Sequence, residues 1–148
     1  MRERSQLFLT IGAVLNLIIA LFHLIIIFAG PEAYIYFGAG EEMARMEREG
    51  SMLPDIVTLV LTIGFLLFAL YGFSGAGLVR RFPARKPILV IIAAIYLLRG
   101  TVGLITDRYF EIVSTDADLV KDIVFSLAAL IVGICYTIGT KMRWRVLG

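Results

Sequence analysis

Four stretches of this chain are almost continuously apolar, and each is long enough to be a membrane helix. A bilayer core of about 30 Å needs about 20 such residues at 1.5 Å rise each. The first stretch covers residues 6–29, is broken only by Thr10, Asn16 and His23, and stops at Gly30-Pro31. The second covers 55–79, with Pro54 in the first turn and Ser51 as its cap. The third covers 87–106, opens at Pro87 and contains Arg99; the fourth covers 117–140, behind a capping box at Thr115 and Asp118. Period-two alternation, the mark of a membrane barrel, is missing from all four. The first stretch exceeds a signal-peptide core, and Pro31 would spoil cleavage after Gly30, so it reads as a retained anchor.

Within each stretch, small and polar residues recur at helical spacing and fall on one stripe. The stripes are Gly12, Asn16, Ala20, His23 and Ile27; Thr58, Thr62, Phe65, Ala69, Gly72 and Ala76; Ile92, Tyr96, Arg99, Gly103 and Thr106; and Asp118, Asp122, Ser126, Ala129, Gly133, Tyr136 and Thr140. Small residues let membrane helices approach, and polar groups avoid lipid. The expected fold is an all-α integral membrane protein, one domain over residues 1–148, forming an antiparallel bundle of four transmembrane helices with these stripes inward.

Between the first two spans, residues 30–54 form the longest connection. Tyr34, Tyr36 and Phe37 suit a membrane interface. Glu41 to Glu49 reads as a short helix between Gly40 and Gly50, with Met43 and Met46 on one side. The connection at 80–86 is basic, and 107–116 joins the last two spans. The basic segment reads first as a topology signal, and secondarily as an attraction for anionic headgroups.

Composition agrees with the pattern. Hydrophobic residues make up 59% of the chain, charged residues 18%, and mean hydropathy is +0.90. A soluble domain and a disordered chain are both excluded. One cysteine and one histidine leave no material for a disulfide, a CxxC pair or a two-imidazole metal site, and no cofactor or metal is expected. A net charge of +2 gives no reason to expect nucleic acid as a partner.

The distribution of charge is more informative than its sum. Arg2, Arg4, Arg80, Arg81, Arg85, Lys86, Lys141, Arg143 and Arg145 fall on one side of the membrane, against Arg45, Arg48, Arg108 and Lys121 on the other. The positive-inside rule then places both termini in the cytoplasm, and the loops at 30–54 and 107–116 outside.

That orientation puts His23 and Thr62 roughly 10 Å below the outer surface, and Arg99 roughly 12 Å below it. An arginine at that depth costs about 2.5–3.5 kcal/mol on insertion scales, so it calls for a partner or a cavity. Asp122 is the first candidate partner and Asp55 the second, with Arg99, His23, Tyr96, Asn16 and Thr62 as candidate ligand-binding residues. No catalytic residue is assigned.

The segments Ser74-Gly75-Ala76-Gly77 and Ile92-Ala93-Ala94-Ile95-Tyr96-Leu97-Leu98-Arg99-Gly100, with Phe37-Gly38-Ala39-Gly40 before them, resemble a group of small bacterial four-span inner-membrane proteins that have no assigned activity. The resemblance implies an inner-membrane location and places Arg99 within the group's motif; it implies no reaction.

The leading functional expectation is a non-enzymatic membrane protein binding a lipid-like or anionic amphipathic ligand in an externally facing pocket around Arg99 and His23. One alternative is an accessory subunit or homo-oligomer whose polar residues only lock helix packing. Another is a lipid- or isoprenoid-modifying enzyme using His23 as acid/base, which requires a carboxylate beside that ring. A proton-coupled transporter is weaker, because the acids sit near the outer end. Expected partners are membrane lipids, a lipid-like small molecule, and a second copy or another membrane protein.

Overall fold

The computed structural model describes residues 2–109 and 116–147, and the capping box at Thr115 and Asp118 lies outside the described residues. Six helices follow in order: α1 (Arg2–Ala29), α2 (Pro31–Tyr36), α3 (Glu41–Arg48), α4 (Leu53–Ala76), α5 (Arg85–Tyr109) and α6 (Asp116–Arg143). No strand occurs among the described residues. α1, α4, α5 and α6 are long and apolar enough to cross a membrane, which marks a multi-pass membrane protein. Their exposed apolar side chains agree: Leu98 is 64% exposed, Val102 52% and Ile131 53%. In water such a surface would drive aggregation, whereas lipid accepts it.

Helix ends follow local chemistry. α1 stops before Gly30-Pro31, and the Ser51 hydroxyl accepts from the Leu53 amide at 3.3 Å as α4 begins. The second span ends at Ala76, three residues before the pattern suggested. Gly77 takes a left-handed conformation (φ 82°), its amide donates to Ser74 O at 3.1 Å, and the Leu78 amide donates to Phe73 O at 3.0 Å. This is a Schellman cap, which turns the chain out of the helix although Leu78 and Val79 are apolar. Gly50 (φ 80°) closes α3 in the same way, with Ser51 N donating to Met46 O at 2.9 Å.

The chain divides into two compact units, Met1–Leu15 with Phe68–Gly148, and Asn16–Leu67. In the first unit, helix ends from α1 and α4 pack with α5 and α6, and the glycines record the close approaches. A methyl group added at Gly12 would lie 2.9 Å from the Tyr136 ring; at Gly72, 2.8 Å from Ala13; at Gly75, 2.8 Å from Leu89; at Gly139, 2.6 Å from Leu9. Along α5 and α6 the partners are Leu97 with Gly133, Gly100 with Leu130, and Gly103 with Ser126, so one index rises as the other falls. α1 with α4, α4 with α5, α5 with α6 and α6 with α1 therefore all run antiparallel within this unit. Leu9, Ala13, Leu89, Ile92 and Tyr136 fill its interior.

The second unit joins the remainder of α1 to α2, α3 and the start of α4. Ile26, Tyr34 and Ala44 are its buried apolar centre, with Phe37 and Met43 against them. Outside this centre, Arg48 bridges Glu32 at 2.7 Å and Glu41 at 2.9 Å, tying α2 to α3. These exposed pairs position the segment more than they stabilise it.

Candidate functional site

The seam between α5 and α6 carries the intramembrane arginine. A methyl group at Gly100 would lie 2.7 Å from the Ser126 carbonyl oxygen, and one at Gly103 would meet both the Ser126 hydroxyl and Arg99 Nη1. Helices this close leave no room for a guanidinium between them. Arg99 is accordingly exposed on the flank of the seam, where the stripe had placed it inward. Its Nη1 reaches back to the fully buried Ser126 hydroxyl, 3.4 Å away. Ser126 lies one turn beyond Asp122, which is half-buried on the same helix. The hydroxyl accepts a hydrogen bond from the cation without neutralising it.

Tyr96, one turn earlier on α5, is buried, with its ring edge-on to Phe68 at 6.4 Å between centroids. The remaining intramembrane candidates, His23, Asn16 and Thr62, belong to the other unit. The structure brings Arg99 together with Ser126. His23 Nδ1 lies 2.8 Å from the Ile19 carbonyl one turn back, so this nitrogen carries the proton and donates. The ring also packs on Phe65, with centroids 4.7 Å apart. Among the described residues these contacts of His23 include no carboxylate. Asn16 is fully buried, and the Thr62 hydroxyl donates to the Thr58 carbonyl of its own helix at 2.8 Å.

Asp55 has a partner that pattern reading did not find. The Tyr34 hydroxyl donates to Asp55 Oδ1 at 3.0 Å, and the Thr58 hydroxyl approaches the same phenol oxygen at 3.5 Å. Burial, with the Asp55 charge adding to it, pushes the Tyr34 phenol above its ordinary pKa. Nearby on α3, desolvation raises the Glu47 carboxyl above the usual range, and Asp55 again adds to the shift. Glu47 Oε2 is buried without a hydrogen-bond partner among the described residues. The sequence signal was faint: an aromatic belt residue differs from a buried tyrosine only through the tertiary contact itself.

A third polar arrangement closes the basic connection. The buried Ser74 hydroxyl donates to Arg80 O at 2.9 Å and accepts from Phe82 N at 3.0 Å, while Arg85 Nη1 approaches Ser74 O at 3.4 Å. Tyr71 packs on Phe82, and Lys86 lies over the Trp144 ring at 5.2 Å. Ser74 lies off the stripe read for the second span.

No group of three or more potential metal ligands occurs among the described residues. No protein-family model matches the chain, and neither a curated protein nor a solved structure matches it.

Proposed function

We propose that this protein sits in a bacterial cytoplasmic membrane with both termini in the cytoplasm, and binds an anionic, lipid-like molecule against Arg99 in the outer half of the bilayer. The orientation rests on the excess of arginine and lysine at 80–86 and at both termini. A reporter fused to the C-terminus is expected inside the cell, and one found outside would reverse the assignment.

The observation that carries the ligand reading is the exposed Arg99 side chain on a span, set against a neutral serine hydroxyl. Leu98 and Val102 beside it are among the most exposed apolar residues of α5, so an amphipathic molecule in the bilayer has lateral access. Its carboxylate or phosphate would supply a counter-charge in a bidentate pair with the guanidinium. His23, held by a backbone carbonyl and an aromatic ring, has no part in this reading.

The test is retention. Protein is extracted into nanodiscs, and tightly held molecules are identified by mass spectrometry for wild type, Arg99→Ala and Arg99→Lys. A molecule retained by wild type and lost from Arg99→Ala, with unchanged melting, supports the proposal. Identical retention by both proteins overturns it. A second reading, in which Arg99 only locks α5 to α6 or pairs with Asp122, is favoured by its contact with Ser126. It predicts a less stable Arg99→Ala protein holding the same molecules as wild type.

A further inference from the structure

The basic end of the first unit contains a cavity of about 600 Å³. Three arginines line it: Arg81 from the connection after α4, Arg85 from the start of α5, and Arg143 from the last turn of α6. Ser5 and Gln6 of α1 and Gly77 add polar wall, while Val79, Met142 and Val146 add apolar wall. No acid lines it. The sequence supplies few acids to this end: none occurs between Asp55 and Asp107 or after Asp122, and Glu3 is the single acid before Glu32.

The cavity is also built. Arg85 is only 8% exposed and is held against the Ser74 carbonyl, which fixes its position on the wall. The Ser74 hydroxyl fastens the connection at Arg80 and Phe82, directly flanking Arg81. Three guanidinium groups on one wall make the local potential positive, which attracts an anion. The N-terminus of α5, at Arg85, adds its positive dipole end to the same wall.

We infer that this cavity is a binding site for a phosphate-bearing anion, held by Arg81, Arg85 and Arg143. Guanidinium groups match phosphate in charge and in bidentate geometry. The apolar wall suits the glycerol and upper acyl region of a phospholipid, and the basic membrane face is where anionic headgroups gather. Phosphate is the shared chemistry of two sources, a lipid headgroup and a water-soluble phosphate ester. The site is separate from Arg99 and stands or falls independently of it.

The experiment uses full-length protein in dodecyl maltoside, carrying Arg99→Ala so that the site proposed above cannot contribute, with native mass spectrometry as the readout. The probes are dioctanoyl phosphatidylglycerol, dioctanoyl phosphatidylcholine and glycerol 1-phosphate. Phosphatidylglycerol is expected to bind about tenfold more tightly than phosphatidylcholine, the scale of one added charge-assisted hydrogen bond. The preference should vanish in Arg81→Gln with Arg143→Gln. It should persist in Arg80→Gln with Arg145→Gln, which removes the same charge from residues outside the lining. Arg81→Gln alone, at an exposed position, keeps the test decisive if the double variant fails to fold, and is expected to weaken the preference. Glycerol 1-phosphate binding as well as the lipid identifies a soluble phosphate as the ligand; binding of the lipid alone identifies the headgroup. Equal binding of the two lipids, or equal loss in both double variants, overturns the site.

Discussion

The Tyr136 hydroxyl donates to the Phe68 carbonyl at 2.8 Å, linking two helices whose residues are 68 positions apart. Phe68 O is also the natural acceptor for the Gly72 amide in α4. A side chain at 72 would shield that carbonyl: an added methyl would sit 2.7 Å from the Tyr136 oxygen and 2.8 Å from Ala13. Gly72 is therefore the opening through which Tyr136 reaches the backbone. Tyr136→Phe is expected to cost about 0.5–1.5 kcal/mol, the net value of one hydrogen bond. Gly72→Ala should cost more, about 1–3 kcal/mol, because it overpacks two helices as well. The two losses should be less than additive, since the second substitution removes an interaction already broken by the first. Reversible unfolding in mixed micelles measures all three proteins, and strict additivity would show that Gly72 and Tyr136 act independently.

The same logic applies to Arg99 at the α5–α6 seam. Gly103 leaves the space in which Arg99 Nη1 meets Ser126 Oγ, and a methyl there would collide with both. Gly103→Ala is expected to destabilise by about 1–3 kcal/mol. Ser126→Ala removes a neutral acceptor and should cost about 1 kcal/mol or less, near the average measured for polar contacts in membranes. A Ser126→Ala loss as large as that of Gly103→Ala would mean that the hydrogen bond, rather than close packing, holds this seam.

Glu47 gives the pH dependence a sign. Desolvation and the Asp55 charge raise its folded-state pKa, so the folded protein binds this proton more tightly than the opened one. Stability from this group is fully present below the ordinary carboxylate value, about 4.3, and is lost as pH rises through the raised folded value. Amide exchange in α3, corrected for intrinsic rates, should therefore show protection falling as pH rises across that window. Glu47→Gln should flatten the slope and leave neutral-pH protection higher than in wild type. Protection that instead rises with pH through the window, and is unchanged by the substitution, would contradict the shift.

The hydrophobic pattern located four spans because length and apolar content are summed over some twenty residues, and local errors cancel. Their ends were less legible. Leu78 and Val79 extend the apolar run of α4, but the helix stops where Gly77 can take positive φ, and only the backbone shows that choice. The stripes located many buried positions well, from Gly12 and Asn16 to Ser126 and Tyr136, because small residues mark close approach. Arg99 escaped that reasoning: sharing a stripe with Gly103 says where its Cα lies, whereas a long side chain is free to leave the seam. Tyr34 bonds Asp55, and Arg81 and Arg143 line one cavity, across long stretches of sequence, and no local spacing encodes such pairs.

Ser74 holds the basic connection by both of its hydrogen-bonding capacities, donating to Arg80 O and accepting from Phe82 N while fully buried. Ser74→Ala deletes one oxygen but leaves two backbone groups to find other partners. An unsatisfied buried group costs about 1–3 kcal/mol, so the loss should exceed that of an average surface contact. The connection would respond first, because its fold depends on this hydroxyl while α4 keeps its own backbone hydrogen bonds. Exchange at the Phe82 amide is expected to accelerate strongly in Ser74→Ala, with exchange in the middle of α4 little changed. Ser74→Thr keeps the hydroxyl and should preserve slow Phe82 exchange wherever the extra methyl fits. Unchanged Phe82 protection in Ser74→Ala would show that the connection is held instead by Tyr71 packing on Phe82.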